Sequence, residues 1–329
     1  MMRLIRLVTA CALVLLMAAP AFAAQTMRMS SNFPVDHASS QALDVFKKKV
    51  EEYSKGEIII NNFPAMQLGG AAENIDQTRS GVTFGTVLSA AFMTRTVPEL
   101  EALGLPFVFD NMGQMLNALD AGLDKVFNEK LLAKGFVTLG YFNNGSRHLT
   151  NNKRAVKKLE DFQGLKIRLM PSATHLDTFR ALGANPVAMD ISEVYQALQQ
   201  GVLDGQENPY PVIQSRNFNE VQKFVTATNH FADVNVVIVN KKQFESLSPA
   251  LQEAVRKAMK EAVAWQREKA EKDADIAKDT LIKAGMQFNE ITPEDRAALK
   301  KATMPVIDGL RKKLGAELID AVLKAAEAK

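Results

Sequence analysis

The run SPALQEAVRKAMKEAVAWQREKAEKDADIAKDTLIKAG, residues 248–285, decides the fold. Ser248-Pro249 is a helix start: the serine hydroxyl accepts a first-turn N–H, and proline at the first helical position lacks an N–H that would be orphaned anyway. Gly285 is a helix stop. Between them Leu251, Val255, Met259, Val263, Ala270, Ala274, Ala277 and Leu281 recur at near-helical spacing, with charges interleaved. An unbroken helix over 249–284 is about 50 Å long at 1.5 Å per residue, longer than a small domain is wide. Two helices broken near Lys269–Lys272 are the alternative. Neither Gly nor Pro interrupts the stretch, which favours one helix that runs along two lobes and ties them together.

Upstream of that helix, short apolar runs bounded by turn residues predict strands over 27–31, 57–63, 83–89, 137–141, 165–170 and 234–239. Helical patterns alternate with many of them. Ala42, Phe46, Val50 and Tyr53 share one face of a helix that Asp36 would cap and Gly56 would close. Asp190, three residues before Glu193, opens another, whose apolar face is Ile191, Val194, Leu198 and Val202. This alternation predicts an α/β architecture with largely parallel sheets. No internal repeat is visible. The 329 residues suffice for two domains of ordinary size, and 47% hydrophobic content with no long polar tract indicates globular structure.

The first two dozen residues read as a secretory leader. Arg3 and Arg6 precede an apolar run from Leu7 to Met17, and Ala21-Phe22-Ala23 supplies small residues for cleavage after Ala23 or Ala24. Val8-Thr9-Ala10-Cys11 resembles a lipidation site, but the apolar run continues past Cys11, which is therefore assigned to the leader. No later stretch is apolar enough to span a membrane. Without Arg3 and Arg6 the 40 Lys+Arg fall to 38 against 37 Asp+Glu, a formal net charge of +1. So small an excess argues against a nucleic-acid partner. The one cysteine is Cys11, so the exported chain is expected to have no disulfide, zinc–thiolate site or thiol catalysis.

Signatures of chemistry are missing. There is no GxGxxG, GxxxxGK[ST], GxSxG or HExxH motif, and His37, His148, His175 and His230 lack metal-ligand spacing. No cofactor and no metal are expected. Two segments look constrained. In Leu165-Lys166-Ile167-Arg168-Leu169-Met170 the apolar residues alternate, so Arg168 points away from the face of Leu165, Ile167 and Leu169. Its guanidinium is either solvated or suited to a two-point grip on a carboxylate. Asp204-Gly205-Gln206-Glu207-Asn208-Pro209 reads as a dense polar turn after a helix, bonding backbone or projecting into a cleft.

Asn144-Gly145-Ser146-Arg147, Gly164-Leu165-Lys166-Ile167-Arg168, Leu182-Gly183-Ala184-Asn185-Pro186, the run from Ser192 to Gln199, Asp204 to Pro209 and Thr228-Asn229-His230 occur in that order. So ordered, they strongly resemble the DctP-type solute receptors of tripartite ATP-independent periplasmic (TRAP) transporters. Ser54-Lys55-Gly56, Gln67-Leu68-Gly69-Gly70 and Leu105-Pro106-Phe107 extend the resemblance over essentially the whole exported chain. It implies a two-lobed periplasmic binding-protein fold with a ligand cleft between the lobes, crossed by the long helix. Residues 1–24 would be the signal peptide, 25–145 with 234–273 one lobe, and 146–233 with 274–329 the other.

The resemblance further implies that Arg168 forms the principal salt bridge to a ligand carboxylate, with Asn208 and then Arg147 as further polar contacts. Asn32, His37, Glu73, Ser89 and Asp190 are weaker candidates. His37 also reads as a helix start, Glu73 as a first-turn acid and Asp190 as an N-cap. Ile191 stands where sialic-acid-binding relatives place an aromatic residue, and Ala71 and Ser89 where they have acids, which argues against the same contacts to sialic acid. The expected function is capture of a C4-dicarboxylate, sugar acid or other hydroxy or keto acid by cleft closure, and delivery to permease subunits. A periplasmic lyase or isomerase with His37 or Asp190 as base, and a ligand-sensing module for a membrane receptor, are the alternatives.

Overall fold

The computed structural model describes residues 24–327. The expected leader, Cys11 included, lies outside the described residues up to Ala23. Eleven strands run β1 Gln25–Ser31, β2 Ile58–Phe63, β3 Gly85–Ser89, β4 Phe136–Ser146, β5 His148–Asn151, β6 Lys166–Leu169, β7 Asn185–Ala188, β8 Gly205–Asn208, β9 Phe224–Ala227, β10 Ala232–Asn240 and β11 Gln287–Glu290. The α-helices are α1 Ala38–Tyr53, α2 Ala71–Ser80, α3 Met112–Ala118, α4 Asp124–Ala133, α5 Ala173–Ala181, α6 Ile191–Gln199, α7 Tyr210–Ser215, α8 Lys241–Glu245, α9 Pro249–Lys283, α10 Pro293–Leu314 and α11 Ala316–Glu327.

The strands form two sheets, ordered β2-β1-β3-β10-β4 and β11-β9-β5-β8-β6-β7. The sheets are mixed rather than largely parallel. β10 is antiparallel to both its neighbours, and β5 is antiparallel to β8 and β9; two strand-to-strand links, β4 to β5 and β9 to β10, pass between the sheets. β10 is buried along its whole length: Val234, Val236 and Ile238 enter one core cluster, while Val237 and Val239 enter the cluster on the other face.

The long helix is single. α9 spans 35 residues with no break near Lys269–Lys272, and the Ser248 hydroxyl accepts from Leu251 N at its start. Leu251, Val255, Ala258, Met259 and Ala262 pack with the first sheet, and Ala277 and Leu281 with the second. Gly140 on β4 lets the helix approach, since a Cβ there would sit 2.6 Å from Val263 Cγ2. Between these ends lies Gln266, fully buried, whose side-chain amide accepts from Asn143 N and donates to Asn143 O, both at 2.8 Å. Opposite it β4 bulges: Val234 pairs with Asn143 and Asp233 with Gly145, leaving Asn144 without a ladder partner. Gly145 accommodates the bend at φ 119°, with Pro209 packed against it.

Several local expectations are corrected. The cap of α1 is His37 rather than Asp36. Val202 lies past the end of α6 and is 54% exposed, so the apolar face of that helix is Val194, Ala197 and Leu198. Gly205–Asn208 is a strand, not a turn, because each of its polar side chains finds a partner on flanking elements. Leu310 of α10 and Ile319, Val322 and Ala326 of α11 join the first-sheet cluster. Among the described residues no helix is long and apolar enough to cross a membrane.

Candidate ligand-binding site

The two passages between the sheets lie side by side. β4 runs into β5 through Arg147, β9 returns to β10 through 228–231, and Arg147 N donates to Phe231 O across them. The Arg147 side chain then fastens this crossing. Its Nε and Nη2 donate to the two carboxylate oxygens of Glu207 on β8, at 2.5 and 2.8 Å, and its Nη1 to Asp233 on β10 at 2.6 Å. Nη2 also reaches Glu207 O and Asn208 Oδ1. His230 Nε2 lies 3.0 Å from Glu207 Oε2, and Ser89 Oγ and Asn144 Nδ2 donate to Asp233. Burial alone would lower the Arg147 pKa, but the Glu207 and Asp233 carboxylates hold it above the ordinary arginine value. Against burial, Arg147 and the bond from His230 keep Glu207 well below the usual carboxylate range.

Arg168 has the opposite surroundings. It sits on β6, whose Ile167 and Leu169 enter a core cluster on the far face. It is 0% exposed, and its Nε donates to Met189 O at 2.8 Å. Among the described residues nothing bonds to its Nη1 or Nη2. Burial, reinforced by the nearby Arg147 charge and only partly offset by Glu207, pulls its pKa down to about 10. Arg168 lines a small cavity between the sheets. Arg147, Asn208, Asn32 and Ser89 line it with Arg168, and so do Phe33, Phe92, Asn144, Met170, Ile191, Val212 and Arg216. No Asp or Glu is among these lining residues.

The structure thus brings together Arg168, Asn208, Arg147, Asn32 and Ser89 of the residues singled out from the sequence. Asn32 Nδ2 has no partner among the described residues, while its Oδ1 accepts from Asn74 Nδ2. Asn208 is committed to Arg147 through Oδ1 and donates to Gln206 through Nδ2. Three candidates stand outside the lining. His37 Nδ1 accepts from Ser39 N, its ring stacks on Phe33 at 4.4 Å, and burial lowers its pKa to about 3. Glu73 accepts from Gly70 N at the start of α2. Asp190 caps α6 through Ser192 and also accepts from Ala71 N at the start of α2, bridging the two sheets' helices. Sequence reasoning missed Phe33, Phe92, Asn144, Met170, Val212 and Arg216; only Asn144, beside the Gly145 bend, carried a local signal.

A two-sheet body, a cavity at the crossing and a bare buried arginine inside it match one known pattern. The family model for bacterial extracellular solute-binding protein, family 7 (DctP), covers residues 29–313. The chain belongs to this family. It is 33% identical over 325 residues to the C4-dicarboxylate-binding periplasmic protein DctP of Rhodobacter capsulatus, covering 98% of this chain and 97% of that one. Among solved structures it resembles a sugar acid binding protein of Advenella mimigardefordensis in complex with galactonate, with TM-score 0.90, 31% identity and coverage of 92% and 98%. It also resembles a TRAP periplasmic solute binding protein of Sulfurospirillum deleyianum with bound succinate, with TM-score 0.86, 32% identity and coverage of 90% and 97%. As in these relatives, the family 7 fold is two-lobed.

Proposed function

We propose that this family 7 protein is a periplasmic receptor that captures a small carboxylate by lobe closure and delivers it to a TRAP-type membrane permease. The observation that carries this reading is the pair of guanidinium nitrogens of Arg168, without a partner among the described residues, on a fully buried side chain that lines the cavity between the sheets. A buried charge without an ion pair is costly, and a carboxylate bound bidentately meets the cost with two charge-assisted hydrogen bonds. The relatives' ligands, C4-dicarboxylate, galactonate and succinate, are all carboxylates. Arg168 is the salt-bridge partner in this reading, with Asn208 and Asn32 as polar contacts. Arg147, saturated by Glu207 and Asp233, positions Asn208 and the crossing strands. Ligand contacts with residues of both lobes shift the population toward closure. The lobes divide where the chain crosses between the sheets, at 146–147, at 228–231, in the middle of α9 and again along α10, whose Leu299 packs with the second sheet and Leu310 with the first. A thermal-shift screen of C4-dicarboxylates and sugar acids tests the reading. At least one acid is expected to raise the melting temperature, to be recovered unchanged by mass spectrometry and to shrink the radius of gyration in small-angle scattering. A bound acid returned chemically altered would replace the receptor with an enzyme.

A further inference from the structure

A second arginine enters the same cavity. Arg216 follows α7, whose Tyr210 and Ile213 pack with the second-sheet cluster, and its side chain reaches back toward the first sheet. Its Nη2 donates to the backbone oxygen of Asn32 and contacts Met66 Sδ at 3.8 Å. Both partners are neutral. Its Nε is buried and unpartnered among the described residues.

The nearby carboxylates are already committed. Glu207 accepts from Arg147 and His230, and Asp233 from Arg147, Ser89 and Asn144. Asp190 accepts from Ser192 and from Ala71 N. Asp190 and Asp36 favour the charge on Arg216 from a distance, but neither forms a salt bridge with it. The cavity therefore presents two guanidinium groups whose hydrogen-bonding capacity no protein acid fills, and no lining residue is itself acidic.

Resting on the carboxylate-receptor reading, we propose that Arg216 is a second ligand contact that reads an anionic group at the end of the ligand remote from Arg168. A ligand acidic at both ends gives each arginine a charged acceptor. A monoacid of the same length offers Arg216 only a hydroxyl. Arg216 is then a specificity-determining residue, and its bond to Asn32 O holds the guanidinium across the cleft where the second acid arrives.

Calorimetry of two matched pairs, galactarate with galactonate and succinate with 4-hydroxybutyrate, tests this, since each pair differs only in whether the second end is a carboxylate. Wild-type protein is expected to bind the diacid of at least one pair more tightly than its monoacid. Arg216→Gln should weaken that diacid by roughly 10–100-fold, the range expected for losing a hydrogen bond to a charged group, and the monoacid by less than about threefold. Equal losses for both acids would mean that Arg216 only supports lobe closure through Asn32, and would overturn the assignment. So would a monoacid preference in wild type. Arg216→Lys keeps a charge at the site and serves if the glutamine variant fails to fold; it is expected to retain part of the diacid preference. Arg168→Ala isolates the underlying reading: undiminished binding of every acid by that variant would sink the carboxylate receptor itself, whereas binding lost there but indifferent to Arg216 sinks only this inference.

Discussion

Arg147, at the link between β4 and β5, and Arg168 on β6 line one cavity and are equally buried, yet one is saturated and the other bare. Arg147 has two carboxylates and an amide oxygen; Arg168 has one backbone carbonyl. The difference shows what a buried charge does in each setting. Paired inside the protein, it fastens strands that must cross between lobes. Left unpaired, it is a standing electrostatic cost of several kcal/mol by order of magnitude, which a ligand anion removes. In the proposed reading, stability and recognition fall to different arginines.

The strongest way to break the comparison is Arg147→Ala. It strands Glu207 and Asp233 as buried anions, and a loss of about 3–5 kcal/mol in unfolding free energy is expected from denaturant titration. A loss below about 1 kcal/mol would show that the network is not a stabilising knot. Arg168→Ala should do the reverse. Binding of any acid that wild type retains is expected to fall at least about 100-fold, consistent with losing two charge-assisted hydrogen bonds, while the ligand-free protein is expected to melt no lower than wild type, because an unpaired buried charge has been removed. Calorimetry and a thermal scan read the two halves.

A finer probe is pH, because His230 belongs to the saturated cluster and the other three histidines are buried elsewhere. Burial lowers the pKa of His37, His148, His175 and His230, to about 3 for His37 and about 4 for His175. The unfolded chain therefore takes up protons first. Stability is fully present above about pH 6.5 and drains as pH falls below it, by up to about 1.4 kcal/mol per pH unit for each histidine. The depressed Glu207 acts in the same direction at lower pH, its contribution fading once the carboxylate protonates in the unfolded chain. Denaturant titrations at pH 7.5 and 5.5 should show the decline; equal stabilities at both would contradict the burial argument.

Much of the first sheet was legible, because β2, β3, β4 and β10 each contain a short apolar stretch and Met27 and Met29 alternate along β1. Of the second sheet only β6 was, within the predicted strand over 165–170. β8 reads Gly-Gln-Glu-Asn and β5 His-Leu-Thr-Asn, strands made buriable by partners distant in sequence, such as Arg147 for Glu207 and Gln206 for Thr150. The direction of Arg168 followed from simple alternation along β6. That Arg147 is spent could not be read locally, since one of its acids lies 86 residues away. Arg216, alone in an unremarkable Ser-Arg-Asn, carried no signal at all.

The hold of Gln266 on Asn143 gives the long helix a mechanical meaning. Both hydrogen bonds go to a single residue of β4, and Arg267 Nε adds one to Tyr141 O, so the polar hold of the helix on β4 is concentrated at two adjacent residues near its middle. From Gln266 to Lys283 the arm is roughly 25 Å long at 1.5 Å per residue, and none of its residues is fully buried before Ala277. Turning such an arm through about 10° swings its tip by roughly 4 Å, by the same helical rise. A rotation too small to disturb the amide pair is thus geared up into a displacement the size of a side chain where Leu281 grips the second lobe.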